Sequence, residues 1–354
     1  MVRKSPKKQL KKKKNHLGSI MLLLLSLLFA AFIYTIFLRP ATKFKNEEIT
    51  ILIPTYKANK SYLRPIVKQQ LHAIHFTTFL ALADWFGYWE KIKPGKYTIE
   101  KGTSVFGVFR KLYGGRQTPV RIVLNKFRTK KDLAIYVGGK LECSTNDINK
   151  FINSKDSLES IGILPEELLS IIIPNTYEIY WNTSPREFIE RMQDESNDFW
   201  NDTRIDNAKK LGLSKTEVST IASIVEEETN DIDEKPLIAS VYINRLKENM
   251  PLGADPTIKF AIGDFSIRRV TLKHINATAS SPYNTYKNKG IPPGPICTPS
   301  IASIDAVLEG KETTYLFFCA KPDFSGSHSF ASTDKEHLQN AKRYRRALDS
   351  LKIH

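Results

Sequence analysis

Between residues 17 and 38 the apolar positions are continuous: LGSIMLLLLSLLFAAFIYTIFL is 22 residues without a charge. At 1.5 Å per residue such a helix is long enough to cross a hydrocarbon core of about 30 Å. Beyond it the pattern shortens and alternates. Residues 48–54 (EITILIP) carry the period of a strand. Residues 62–89 then hold two helix-like stretches, the first with Ile66, Leu71 and Ile74, the second with Phe79, Leu80, Leu82, Ala83 and Phe86. Residues 92–102 (IKPGKYTIEKG) read as turn, short strand and turn, and Val105, Val108, Phe109 and Leu112 mark a helix ended by Gly114 and Gly115.

A strand at 120–123 opens a second region. Within it Phe188, Ile189, Met192, Phe199 and Trp200 form a helical stripe that reads as core. The strongest pattern lies at 214–263. Ser214 and Glu217 have the spacing of a capping box, so a helix is expected to start there. Val218, Ile221, Ala222 and Val225 follow at i, i+3, i+4 and i+7. At about 100° per residue Glu227 falls opposite this stripe, whereas Glu226 and Glu228 fall on its flanks. A carboxyl half-sunk beside an apolar face has its charged form disfavoured and can hold a proton near neutral pH, as a general acid must. The other reading of three glutamates in a row is a solvated helix face.

A second helix is expected at 235–247, with Pro236 in its first turn and Leu237, Val241 and Leu246 facing inward. Asn244 and Arg245 sit near its end, and the arginine suits an ion pair with a glutamate of the first helix or contact with a substrate carboxylate. Residues 263–299 are rich in proline and glycine, as in the wall of a groove. There Tyr283, Asn284, Thr285 and Tyr286 offer either a sugar-binding surface or packing. A strand at 315–320, a returning strand at 328–330 and a basic terminal helix complete the pattern.

Charge refines the picture at one end only. The net charge is +16, but Arg3, Lys4, Lys7, Lys8 and Lys11 to Lys14 precede the apolar run and no acid occurs before Glu47, leaving +8 elsewhere. Lysines on that side hold the N-terminus in the cytoplasm and put the bulk of the chain across the membrane; they also suit anionic headgroups. Eight charges behind a membrane segment do not make a nucleic-acid reader. The run ends in bulky Ile36-Phe37-Leu38-Arg39-Pro40, without the small-residue site of a cleaved signal peptide, so an uncleaved single-pass anchor in the plasma (inner) membrane is expected. Cys143, Cys297 and Cys319 are too few and scattered for a disulfide framework. No His/Cys group has metal-ligand spacing, so neither metal nor cofactor is expected.

Several ordered blocks carry a resemblance. They are 221–229 (IASIVEEET), 241–246 (VYINRL), Asp255-Pro256-Thr257 with Gly263, 281–286 (SPYNTY), 290–296 (GIPPGPI) and 315–322 (YLFFCAKP). Together they resemble the endolytic murein transglycosylase family, which is YceG-like. The resemblance implies an α+β protein: a cytoplasmic tail (1–16), a transmembrane helix (17–38), a small LysM-like α+β module (39–117) and an α+β catalytic domain (118–354) with a central helical hairpin. It implies an enzyme cutting glycan strands of peptidoglycan internally, leaving 1,6-anhydro ends, beside peptidoglycan synthases and in the role of ending nascent strands. Glu226 would be its acid/base, with Glu228 setting the pKa, and Asn244, Arg245, Asp255, Tyr283, Asn284, Thr285 and Tyr286 supporting it or holding the sugar. Two departures stand out. The family's Glu-Gly pair after the 120–123 strand is replaced by Leu124-Asn125-Lys126-Phe127, and an acid is replaced by Asn175 in 171–177 (IIIPNTY). Asparagine cannot titrate, so no proton transfer falls on that position. A muramidase pairing Glu226 with Asp255, or a wall-binding scaffold without catalysis, fits the same residues.

Overall fold

The computed structural model describes residues 16–350; the basic tail, up to residue 15, lies outside them. The chain divides between Pro119 and Val120 into two compact units.

The first unit begins with α1 (His16–Phe37), whose residues 18–37 have the length and hydropathy of a membrane span. There follow β1 (Glu48–Ile53), α2 (Lys60–Gln70), α3 (Ala73–Trp85), β2 (Gly95–Glu100) and α4 (Val105–Gly114). The order is β-α-α-β-α, with β1 and β2 antiparallel and Ile51 opposite Tyr97. Asn59 and Ser104 start α2 and α4 by accepting from Tyr62 N and Gly107 N. Ile51, Ile53, Leu63, Val67, Phe79, Tyr97, Val108 and Leu112 close over one core. Ile36, in the last turn of α1, is buried in that same core, and Phe37 lies 4.6 Å from Phe106, ring to ring.

The second unit contains β3 (Val120–Leu124), α5 (Lys130–Gly138), α6 (Thr145–Ile152), α7 (Lys155–Glu159), β4 (Asn175–Ile179), α8 (Pro185–Phe199) and α9 (Asp202–Leu211). Next come α10 (Lys215–Glu228), α11 (Lys235–Lys247), α12 (Asp255–Ile262), α13 (Leu272–Ala277), α14 (Ile301–Leu308), β5 (Phe317–Ala320), β6 (His328–Ala331) and α15 (Asp334–Ser350). The architecture is α+β, mostly helical, with small two-stranded antiparallel sheets β1-β2, β3-β4 and β5-β6. Two apolar clusters organise the second unit. One joins β3 and β4 to α5, α6 and α8 through Ile122, Leu133, Val137, Ile148, Tyr177, Phe188 and Met192. The other gathers α10, α11 and α14 through Ile221, Val225, Ile238, Tyr242, Ile304 and Val307.

At the centre of the second cluster lies α10, opened by the expected capping box of Ser214 and Glu217. Its burial exceeds one stripe: every residue from Val218 to Val225 is buried, including Ser219, Thr220 and Ser223. Two of these three hydroxyls bond back to the helix, Thr220 to the Thr216 carbonyl at 2.7 Å and Ser223 to the Thr220 carbonyl at 2.7 Å. On α11 the inward residues are Ile238, Ala239, Val241, Tyr242 and Ile243, whereas Leu237 and Leu246 are half-buried. All three cysteines are free, and Cys297 is fully buried with its thiol against the Ser223 carbonyl.

Candidate active site

The last turn of α10 brings three consecutive carboxylates into three surroundings. Glu226 turns toward α11 and α14, where its Oε2 accepts from Lys235 Nζ at 2.7 Å, Ser300 Oγ at 2.5 Å and Ser303 Oγ at 2.5 Å. Lys235 is itself buried and also donates to Ser303 Oγ at 2.7 Å. Burial alone would raise the Glu226 pKa, but the ammonium and both hydroxyls together hold it below the ordinary carboxylate value. Glu227 lies where the helical wheel puts it, away from the stripe, yet it is not solvated. Lys126 at 2.9 Å and Arg128 at 3.0 Å pair with its carboxylate and also lower its pKa against the effect of burial. Lys126 and Arg128 both belong to the loop after β3, which thus serves as a cationic clamp on α10.

Glu228 turns into an open cavity of about 560 Å³. Its Oε1 accepts from the Tyr242 phenol at 2.9 Å. Burial raises its pKa to about 7, helped by the charge of Asp255 and opposed by the Tyr242 hydrogen bond, Lys259 and Arg245. The environment expected of Glu226, a carboxyl protonated near neutrality, is therefore found at Glu228.

The cavity is walled by α11, α12, the 281–287 loop, β5 and α15. Tyr286 Oη donates to Asp255 Oδ1 at 2.6 Å, and both residues line the space. Asp255 is the first residue of α12, where the helix dipole favours an anion. Arg245 lines it as well, but pairs with no glutamate. Its Nε and Nη1 donate to the carbonyls of Leu316 at 2.7 Å and Leu252 at 2.6 Å, and its guanidinium lies 5.4 Å from the Phe317 ring centre. Gly253 packs against Arg245 and Tyr286 at φ +57, where an added Cβ would lie 3.2 Å from Arg245 Nη1. His337 stacks on Phe317 across the same space and is kept neutral by burial and by Arg245.

Four expected sugar contacts lie elsewhere. Asn244 donates to the carbonyls of Thr313 and Tyr315, each at 2.9 Å, tying α11 to the chain entering β5. Asn284 is fully buried; its amide donates to the Ile275 carbonyl and Thr278 Oγ1, and its oxygen accepts from the Tyr286 and Lys287 amides. Thr285 is buried as well, with its hydroxyl bonded to Ala254 N and Thr257 Oγ1. Tyr283 packs on Phe260, rings 4.7 Å apart, and lines a different cavity. The polar capacity of Asn244, Asn284 and Thr285 goes to holding the loops that form the wall.

Sequence reasoning did not single out Tyr242 and Lys235. Tyr242 stands inside the VYINRL block, beside the two residues chosen from it. Lys235 carried no signal, because lysines are almost never fully buried unless paired. Among the described residues no group of His, Cys, Asp and Glu is arranged to hold a metal ion.

A carboxyl whose pKa burial raises to about 7, bonded by a phenol, shares an open polar cavity with a second carboxylate and a guanidinium, an arrangement able to serve general acid catalysis. Residues 53–343 match the model of the YceG-like family, and the chain belongs to that family. It is 30% identical to the endolytic murein transglycosylase of Bacillus subtilis over 281 residues, which are 73% of this chain and 76% of that one. The endolytic murein transglycosylase of Streptococcus pneumoniae strain R6 is 31% identical over 175 residues, 48% of this chain and 31% of its own longer one. A solved structure described as a YceG-like protein from Listeria monocytogenes superposes with a TM-score of 0.54 at 26% identity, covering 83% of this chain and 98% of that chain.

Proposed function

We propose that this protein is an endolytic lytic transglycosylase of peptidoglycan in which Glu228 is the acid and then the base. The observation that carries this reading is the position of Glu228: it is the glutamate of α10 that opens into the cavity with its pKa raised to about 7. The protonated carboxyl gives its proton to the glycosidic oxygen as the bond from C1 of the muramoyl sugar breaks. The resulting carboxylate takes the proton of the C6 hydroxyl of the same sugar, whose oxygen closes on C1 as a 1,6-anhydro ring. Atoms and charge balance without water, and the acid is regenerated. Because the nucleophile belongs to the substrate, proximity replaces the second carboxylate that ordinary glycoside hydrolysis uses.

In this reading Tyr242 orients the acid, and Asp255, itself oriented by Tyr286, faces the positive charge that develops on the sugar ring. Arg245 gives the wall a fixed cation for a substrate carboxylate. Glu226 and Glu227 hold α10 in place through their ion pairs. The N-terminal helix serves as a retained anchor, because Ile36 is part of the core of the first unit. The β-α-α-β order of that unit supports reading it as LysM-like. Glu228→Gln in the full chain tests the assignment: glycan cleavage is lost with the fold intact, whereas undiminished cleavage would move the acid elsewhere.

A further inference from the structure

Besides the cavity at Glu228, the second unit holds another of about 490 Å³, lined from α5, α6, α12 and the loops that carry Glu166 and Tyr283. Phe260, near the end of α12, and Tyr283 form an aromatic wall, tilted by 52° with ring centres 4.7 Å apart. The same cavity is lined by Asn149 of α6, by Asn153 that caps this helix and donates its amide to the Asn149 carbonyl and Oδ1, by Lys130 and Lys131 opening α5, and by the exposed carboxylate of Glu166. Lys130 Nζ is engaged with the Pro165 carbonyl at 2.5 Å, whereas Lys131 is exposed to solvent. Flat rings, neutral amides and an exposed ammonium in one trough match the apolar faces, hydroxyls and carboxylates of a peptide-bearing sugar chain.

Two elements tie this trough to the acid. The 281–287 loop turns Tyr286 into the Glu228 cavity and Tyr283 into the second one, and its span between them is fixed by buried Asn284 and Thr285. Helix α12 likewise gives Asp255 to the first cavity and Phe260 to the second, which Gly263, the residue that ends the helix, also lines. At 1.5 Å per residue Asp255 and Gly263 are about 12 Å apart along the helix, a distance that a few linked sugars cover. An enzyme cutting inside a strand has substrate extending past the scissile bond, and a fixed second seat sets how far.

We propose that this trough is a remote subsite for the same glycan strand, seating a sugar on Tyr283 and a stem-peptide carboxylate against Lys131. The proposal rests on the transglycosylase reading of the Glu228 cavity. It would be tested by equilibrium binding to the full-length Glu228→Gln protein in detergent, so that cleavage does not intervene. Long strands carrying stem peptides are compared with strands stripped of them by an amidase. Adding Lys131→Glu is expected to weaken binding of peptide-bearing strands by about fivefold, the scale of one exposed charge pair, and to leave stripped strands nearly unaffected. Tyr283→Leu, which keeps the bulk but removes the flat ring, is expected to weaken both. Binding of both strands unchanged by either substitution would overturn the subsite. A Glu228→Gln parent that bound neither strand would overturn the transglycosylase reading itself, and the subsite with it.

Discussion

Glu226 and Glu228 stand two positions apart on one helix and differ in everything that decides chemistry. The first faces a buried ammonium and two hydroxyls, the second a phenol inside an open cavity. Glu226→Gln strands Lys235 as an unpaired buried cation and is expected to cost about 3 kcal/mol of stability, read as a lower denaturation midpoint; an unchanged midpoint would show the pair to be unimportant. The pKa of Glu228, near 7, sets the pH behaviour. Cleavage needs the protonated form, so kcat/KM is expected to fall as pH rises through about 7. Because the Tyr242 hydrogen bond favours the ionised form, Tyr242→Phe is expected to move that limb to higher pH. A limb that stayed in place would uncouple Tyr242 from the acid. The same shift has a stability sign: a carboxyl whose folded pKa lies above its unfolded value stabilises the fold at low pH, and this contribution is lost as pH rises through about 7. The lowered Glu226 acts oppositely, stabilising above the ordinary carboxylate range and losing that contribution on acidification. The helical wheel separated the flanking glutamates from Glu227 but could not choose between them, since that choice depends on Lys235, Ser300 and Ser303 arriving from other elements.

The central hairpin was legible as elements because its signals are local. A capping box opens α10, Pro236 stands in the first turn of α11, and the apolar spacing between them has helical period. The strands expected at 48–54, inside 92–102, and at 120–123, 315–320 and 328–330 also stand within a few residues of those places. Less legible was the work of polar residues in loops. Asn284 and Thr285 look like ligand contacts in sequence, yet both are buried and spent on backbone and hydroxyl partners, Thr285 on α12 and its cap and Asn284 on Ile275, Thr278 and the amides of its own loop. The same holds for Asn244, which fastens α11 to the chain before β5. Asn244→Ala is expected to destabilise the protein by about 1–3 kcal/mol through the Thr313 and Tyr315 carbonyls left without their donor. Thermal unfolding measures this, and a loss of substrate affinity with undiminished stability would return Asn244 to the binding surface.

At the scale of the whole molecule, the chain carries a membrane-length apolar helix in its first unit and a carboxyl-centred cavity in its second. The last turn of α1 is shared by the membrane-length helix and by the core of the first unit, through Ile36 and the Phe37–Phe106 contact. Cleavage behind Phe37 would remove part of that core. Intact mass of the protein extracted from membranes is therefore expected to include α1, and a mature form lacking it would contradict the anchor. Nothing local in the sequence could show that Ile36 packs in this way, since the residue belongs equally to the pattern of a membrane span. The most direct test of the central claim is mass spectrometry of the muropeptides released from purified glycan strands by wild type, Glu228→Gln and Glu226→Gln. Anhydro ends, lighter by one water than reducing ends, are expected from wild type and from whatever Glu226→Gln protein remains folded, and not from Glu228→Gln. Anhydro ends from Glu228→Gln, or reducing ends from wild type, would contradict the account.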